Sequence, residues 1–484
     1  MKKFILAALL LPLLSVAQTT GTLAPKETTV ENKDGLRLEQ GSWTEILAKA
    51  KKENKYIIMD CMTTWCGPCK HMDKNVFPLK ETGDFFNEKF LAVKVQFDST
   101  ADDDARVKSW KKDMKEIEKE YAINAYPTYL IFDPNGQVVH RTVGATPDAK
   151  MFIAKGKEGL VPETQYYTQL RRYQNGEKDP AFLRKMATMA ATAYDTKMSM
   201  KIAQDYIAGM TDFYSKENAQ FLAQFTSTSK DKGFELMLNN PEKMDAILGA
   251  GKSKAKVVSI IATEEMNPGL RKMLNAKTPN PDPSAVVASA SQKYPQFAAD
   301  LADMASKLVY STVYSQEVYS PMAKALDAKT KADWDAISAS VHARDSKNAD
   351  EMLAKGKMVY FQNTKDWPAY TAELGLFMTK FGEKATAAEL NSYAWTVFDN
   401  CKDMACVNLA LGWSERSIKD EKMPGVYMYM DTYANILHRI GRTKEAIQWQ
   451  EKALALAPDG AKETYTATLN KMKKGEKTWA VTEE

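Results

Sequence analysis

The sequence predicts an α/β layered domain over residues 36–160, followed by an all-α region that runs to residue 475. Three observations carry this. Short, β-prone, nearly continuous apolar runs occur only before about residue 163, where they alternate with helical patterns, as in α/β proteins. Beyond that point Ala, Met, Lys, Leu and Tyr recur at three- and four-residue intervals. A chain of 484 residues also exceeds one ordinary core, since domains average roughly 150 residues. With 44% apolar and 26% charged residues the chain has the balance of a globular protein, and a net charge of +4 is too small to favour a nucleic-acid partner.

At the N-terminus, Lys2 and Lys3 precede the apolar stretch Phe4–Leu14, and Ser15-Val16-Ala17 supplies small residues where a signal peptidase reads. Residues 1–17 therefore read as a secretory signal, with a mature start near Gln18. The apolar stretch is short for a membrane anchor and no cysteine follows it, so neither an anchor nor a lipoprotein is expected. The expected location is outside the cytoplasm, in the periplasm of a Gram-negative bacterium, with no membrane span after signal cleavage. Residues 18–35, rich in Thr, Lys, Glu and Gly, read as a linker.

The first fold begins with Ser42-Trp43-Thr44-Glu45, whose spacing is that of a capping box and predicts a helix over 43–53. Tyr56–Cys61 reads as a central strand, Phe90–Phe97 as a second, Thr128–Phe132 as a third and Gln137–Thr142 as a fourth. The last two are joined through the Asp133-Pro134-Asn135-Gly136 turn into a hairpin. Val107, Met114, Ile117 and Tyr121 fall at helical spacing within 102–121, and a further helix is expected near 147–158, giving the order α-β-α-β-α-β-β-α.

In the second half, Pro and Gly clusters near 240, 268, 279–283 and 424 predict breaks between helices. Residues 165–385 read only as helical. Residues 386–475 read as tetratricopeptide-like, because Ala434, Gly441, Ala446, Ala453 and Pro458 have the spacing of the small residues and closing proline of that repeat. Ala394, Ala405 and Gly412 form an upstream echo at 40–41 residues, longer than the usual period of about 34.

Five cysteines are too few to staple so long a chain, so they must act locally. Trp65-Cys66-Gly67-Pro68-Cys69-Lys70 stands where a buried strand ends and a helix begins. Two cysteines at this spacing can close a small disulfide, while the helix dipole and free N–H groups stabilise a thiolate on the first. Pro68 suits the first turn, where its missing N–H leaves nothing unpaired. Cys401 and Cys406 lie too far along the chain, in a helical region, to complete a zinc set with this pair. Either a structural disulfide across their own turn or two unpaired thiols fits their spacing. Cys61 reads as a small buried hydrophobe, His71 as a residue on the exposed side of its helix, and the methionine-rich helices as core.

With these residues, the segment 36–160 resembles a thioredoxin-fold domain. Asp60, six residues before Cys66, stands where that family keeps a buried carboxylate, and Lys94 occupies the position of its lysine partner on the neighbouring strand. Tyr126-Pro127-Thr128 corresponds to the cis-proline loop, which in the family faces the active disulfide and holds extended substrate. Val143-Gly144-Ala145 matches the glycine after the terminal hairpin. Cys61 departs from the usual aromatic after the aspartate. Asn75-Val76-Phe77-Pro78 and the charged insertion 99–120 are more similar to exported thioredoxin-like proteins and to the C-terminal domain of transmembrane thiol-disulfide interchange proteins than to the compact cytosolic form.

The resemblance implies thiol–disulfide exchange with protein disulfides or dithiols. Cys66, partly exposed, would attack; Cys69 would resolve; and Trp65, Gly67, Pro68 and Lys70 would support the pair. Asp60 is either the proton acceptor for Cys69 or a satisfied structural partner of Lys94. No cofactor beyond the Cys66–Cys69 disulfide and no metal is expected. A membrane electron donor is implied if the protein works as a reductant, and a protein partner is expected on the helical region. Two other classes fit the residues: a helical scaffold whose thioredoxin-like module mainly binds, and a copper-handling protein using the two thiols as soft ligands.

Overall fold

The computed structural model describes residues 34–479. The expected signal at 1–17 and nearly all of the 18–35 linker lie outside the described residues. Among those described, no helix is long and apolar enough to cross a membrane.

The sheet is built as its sequence patterning requires. Strand β1 (Tyr56–Met62) pairs in parallel with β2 (Phe90–Gln96) and antiparallel with β3 (Thr128–Phe132), which pairs antiparallel with β4 (Val138–Val143), giving the order β2-β1-β3-β4. Side chains alternate between the two faces of a strand, so β1 divides its residues. Ile57, Met59 and Cys61 join Leu91, Val93, Leu130 and Phe132 under α1 (Trp43–Glu53) and the 105–121 helices. Ile58 and its alternate Asp60 face the opposite layer, where Ala92, Tyr129 and Ile131 meet Met72, Phe86 and Phe152. The expected α1 has both halves of its capping box, Ser42 accepting from the Glu45 N–H and Glu45 from the Ser42 N–H.

Two segments differ from expectation. Between β1 and β2 there are two helices, α2 (Gly67–Asn75) and α3 (Lys80–Lys89), separated at Phe77-Pro78. The 102–121 segment is likewise split into α4 (Ala105–Ser109) and α5 (Lys111–Tyr121). Trp110 at this junction is buried and sits 6.2 Å, centroid to centroid, from Trp43, so tertiary packing of the indole overrides helical continuity. Helix α6 (Ala149–Glu158) closes the α/β layer, capped by Asp148.

The chain divides into two compact units, one ending at Phe213 and one beginning at Tyr214. The first therefore runs past the expected domain end at residue 160. It takes in α7 (Tyr166–Gln174), α8 (Pro180–Thr192) and α9 (Thr196–Ala208). Helix α7 is fastened to β4: the Tyr166 N–H donates to His140 Nδ1 at 3.1 Å and Arg171 donates to the Val138 carbonyl at 3.1 Å. Burial holds the His140 imidazole down at about 4, so it stays neutral and free to accept that bond.

The second unit is all helix among its described residues. The breaks expected near 240, 279–283 and 424 are present. The one near 268 is not: a π turn, Ala262–Met266, runs directly into the helix Asn267–Asn275 that contains Pro268. A second π turn, Tyr314–Tyr319, likewise precedes the Pro321 helix, Ser320–Asp327. Widening the turn accommodates a proline that has no N–H to donate and whose ring would crowd the preceding turn.

In the 386–475 stretch, the helices Ala387–Asn400 and Met404–Ser417 form one antiparallel pair and Val426–Arg439 and Thr443–Leu456 another. Ala394, Ala434, Ala446 and Ala453 are fully buried in the seams, and Gly441 takes the positive φ of the second connection. Ala405 and Gly412 are exposed, and Val407, Ala410 and Ser414 take the inward positions instead, so the upstream echo is not in register. Cys401 and Cys406 are joined as a disulfide across their turn.

The edge strand β2 is covered by residues 34–39, which pass alongside α3: the Leu36 N–H donates to the Phe77 carbonyl and the Glu39 N–H to the Ala92 carbonyl, both at 2.8 Å. Gly83 makes this close approach possible, because a Cβ there would lie 2.0 Å from the Asp34 carbonyl oxygen and 2.6 Å from that of Gly35. Gly83→Ala should therefore destabilise the first unit by about 1–3 kcal/mol, the usual range for overpacking. A lowered midpoint in thermal unfolding checks it, and an unchanged midpoint would show that the edge segment contributes little.

Candidate active site

Strand β1 delivers its C-terminal end to a short loop, and α2 starts immediately after it. Cys66 is the N-cap of α2: its backbone is extended and its sulfur accepts the Cys69 N–H at 3.0 Å. A helix N-terminus has unpaired N–H groups, and Pro68 in the first turn removes one. Cys66 and Cys69 are joined as a disulfide with Cα atoms 5.3 Å apart. Contrary to the expected partial exposure of Cys66, both are buried, at 2% and 1% exposure. Once oxidised, each sulfur covers the other.

The loop before the motif is anchored from the far side. The Thr64 N–H and hydroxyl both donate to the Asp98 carboxylate just beyond β2, and Lys111 Nζ donates to the Asp98 carbonyl at 2.5 Å. This is how the charged 99–120 insertion reaches the site. Trp65 is left 69% exposed, resting edge-on against Tyr126 at 5.9 Å between centroids. That contact ties the motif to the loop in which the Tyr126–Pro127 peptide is cis. Pro127 accepts the Gly144 N–H at 2.8 Å, and buried Thr128 donates its hydroxyl to Ala125 at 2.7 Å, so the loop is fixed at both ends. Burial pushes the Tyr126 phenol up to about 12, and it remains a neutral donor. Gly67, Pro68 and Lys70 are exposed on α2.

His71 is half-buried rather than on an exposed face: it accepts from Asn75 Nδ2 at 3.0 Å and donates through Nε2 to the Thr146 carbonyl at 3.1 Å. Cys61 is fully buried, points to the other face of the sheet, and has its thiol pushed up by burial.

Asp60 lies beneath α2 at 6% exposure, with an Oδ1 that has no hydrogen-bond partner among the described residues. Burial pushes its carboxyl up to about 7; Lys94 pulls it down and Asp73 pushes it up again. Lys94 is directly opposite Asp60 in the β1–β2 register, as the resemblance implied, but its ammonium donates to Asp73, not to Asp60. The pairing of Lys94 with Asp60, one of the two readings of that carboxylate, is thus not made, because the ammonium reaches a carboxylate closer to solvent. Sequence reasoning missed Asp73. The available signal was its place four residues after Cys69, one helical turn along the same face.

Among the described residues no group of three or more His, Cys, Asp or Glu side chains is placed to hold a metal ion. What the arrangement offers is a disulfide at a helix N-terminus above a buried carboxyl that titrates near neutrality.

Fold and site together define a thioredoxin-fold protein with a disulfide-forming pair at the start of α2. Residues 43–159 match the model of the thioredoxin-like domain. A thioredoxin of Aspergillus fumigatus is 31% identical over 101 residues, covering 21% of this chain and 76% of that protein. An H-type thioredoxin of Chlamydomonas reinhardtii is 31% identical over 118 residues, covering 24% of this chain and 88% of that one. A solved candidate disulphide-isomerase of Bacteroides thetaiotaomicron is 36% identical, with a TM-score of 0.22 and coverage of 26% of this chain and 94% of that one. Through its N-terminal domain the chain belongs to the thioredoxin family.

Asp60 has a folded pKa above its unfolded one, so its contribution is favourable at low pH and is lost as pH rises from about 4 to about 7. Asp60→Asn should therefore stabilise the oxidised protein above pH 7, by up to ~4 kcal/mol, with the gain vanishing toward pH 4. Denaturant unfolding at a series of pH values measures it; a loss of stability at pH 8 would mean that Asp60 is a structural partner instead.

Proposed function

We propose that this protein is an exported thiol–disulfide oxidoreductase that exchanges disulfides with protein substrates, Cys66 attacking and Cys69 resolving. The observation that carries the reading is the Cys66 sulfur at the N-cap of α2, accepting the Cys69 N–H while bonded to the Cys69 sulfur. In the reduced state the same N–H and the helix dipole favour a thiolate on Cys66. That thiolate displaces one sulfur of a substrate disulfide, forming a mixed disulfide. Cys69 then attacks Cys66, the pair closes and the substrate leaves as a dithiol. Asp60 accepts the Cys69 proton, and the backbone beside Pro127 holds the extended substrate segment. Trp65, exposed beside Tyr126, supplies the apolar surface on which that segment rests.

Export rests on Lys2, Lys3, Phe4–Leu14 and Ser15-Val16-Ala17, and the periplasm of a Gram-negative bacterium fits that signal. There a membrane electron donor would be needed to keep the pair reduced. The helical second unit, with tetratricopeptide-like pairs in 386–475, serves as the partner-binding part; paired helices with small buried residues leave outer faces free for a protein ligand.

In the full-length protein, Cys69→Ser should accumulate mixed disulfides with protein substrates and Cys66→Ser should not, as read by non-reducing electrophoresis after acid quenching. Equal trapping by the two variants would overturn the assignment of the attacking thiol, and trapping by neither would overturn the exchange activity.

A further inference from the structure

Two carboxylates compete for one ammonium under α2. Asp60 on β1 and Lys94 on β2 are register partners, and both alternate onto the face that Met72 of α2 covers. Nothing in the strand pairing would keep Lys94 from Asp60. Its Nζ nevertheless donates to Asp73 Oδ1, while Asp60 Oδ1 is left without a hydrogen bond among the described residues. The side chains of Lys94 and Asp73 are 23% and 36% exposed, whereas Asp60 is buried. Pairing at the rim lets both charged groups keep part of their hydration; pairing with Asp60 would draw the ammonium under the helix and strip it. Asp73 lies one turn after the buried Cys69 on the same helix face, so its carboxylate is held close to the resolving position.

We propose that Asp73 is a positioning residue of the exchange site, holding the Lys94 ammonium away from Asp60 and thereby setting the pH at which Asp60 takes the proton of Cys69. The proposal rests on the exchange reading above. In that step the Cys69 S–H proton passes to the Asp60 carboxylate and the Cys69 thiolate attacks the Cys66 sulfur. The Cys66–Cys69 bond forms, the bond from Cys66 to the substrate breaks, and its electron pair leaves on the substrate sulfur, which takes a proton from water. The protein pair is oxidised and the substrate reduced. A carboxylate ionised well below neutrality would be a weak acceptor for a thiol; one deprived of its ammonium titrates closer to the thiol and accepts more readily.

The groups acting on Asp60 come from every neighbouring element. They are Lys94 on β2, Asp73 on α2, and the Tyr129 hydroxyl on β3, which is buried and has no hydrogen-bond partner among the described residues. Cys61 adjoins Asp60 on β1, and Arg141 of β4 acts on that thiol. Of these, only Lys94 is a cation acting directly on Asp60. Its placement therefore decides the balance, and Asp73 decides its placement.

The test uses the full-length protein with carbon-13-labelled aspartate. Asp73→Asn frees Lys94 to turn to Asp60, so the Asp60 carboxyl titration should move down by about one pH unit, and the pH midpoint of mixed-disulfide resolution should move with it. Asp73→Glu should retain the wild-type midpoint, and Lys94→Gln should move it up. An Asp60 midpoint that stays put in Asp73→Asn overturns the proposal, whatever the activity. A midpoint that moves in a protein with no exchange at any pH overturns the exchange reading instead and leaves the hold of Asp73 on Lys94 standing.

Discussion

The site depends on one desolvated carboxyl. Asp60 sits on a strand with neighbours on both sides and a helix above it, where water hydrates a charge poorly and its Oδ1 finds no donor among the described residues. A group in that position resists ionisation until its surroundings supply positive charge. The one ammonium opposite it is bound elsewhere, to a carboxylate nearer the surface. Burial therefore outweighs the attraction of Lys94, and the carboxyl is poised near neutrality. The same burial that makes Asp60 costly to the fold is what lets it exchange protons with a thiol, so stability and chemistry pull in opposite directions at this residue.

Everything else in the N-terminal domain serves to hold that carboxyl beneath the disulfide. Alternation along β1 sends Asp60 toward α2 and Cys61 toward α1 and α5, so one strand serves both a reactive and an inert layer. The N-cap geometry of Cys66 follows from the strand ending at Met62 and the helix starting at Gly67. Asp98 and Lys111 brace the loop between them, while the Trp65–Tyr126 contact links the motif to the Pro127 loop. The charged insertion, whose apolar residues fall at helical spacing in the sequence, thus has a supporting role at the site through Lys111.

The second unit is built on a different principle. Its helices hold together by close approach at small residues, Ala394, Ala410, Ala434, Ala446 and Ala453, and it contains no strand among its described residues. Prolines are handled within the helical run: at Pro268 and Pro321 the turn before the ring opens into a π turn and the chain continues. A rule that proline ends a helix fails there because the packing on either side favours continuation, and a wider turn removes the clash without giving up the helix.

How much could be read in advance depended on the range of the interaction. The four strands, the capping box of α1, the all-helical second half and the Cys66–Cys69 pair at a helix start were legible, because each is specified by residues within a few positions of one another: alternation, cap chemistry, or a two-residue spacing. Other features were not. The split at Trp110 answers to Trp43, far away in sequence; the extension of the first unit through α7–α9 answers to His140 and Val138; and the exposure of Ala405 and Gly412 answers to how two helices rotate about their shared seam. At the site, the sequence by itself determined which groups are present, two thiols, two carboxylates and one ammonium. Only the tertiary structure decided that the ammonium donates to Asp73 and not to Asp60, because that choice is made by differences in hydration, and hydration is a property of the folded surface.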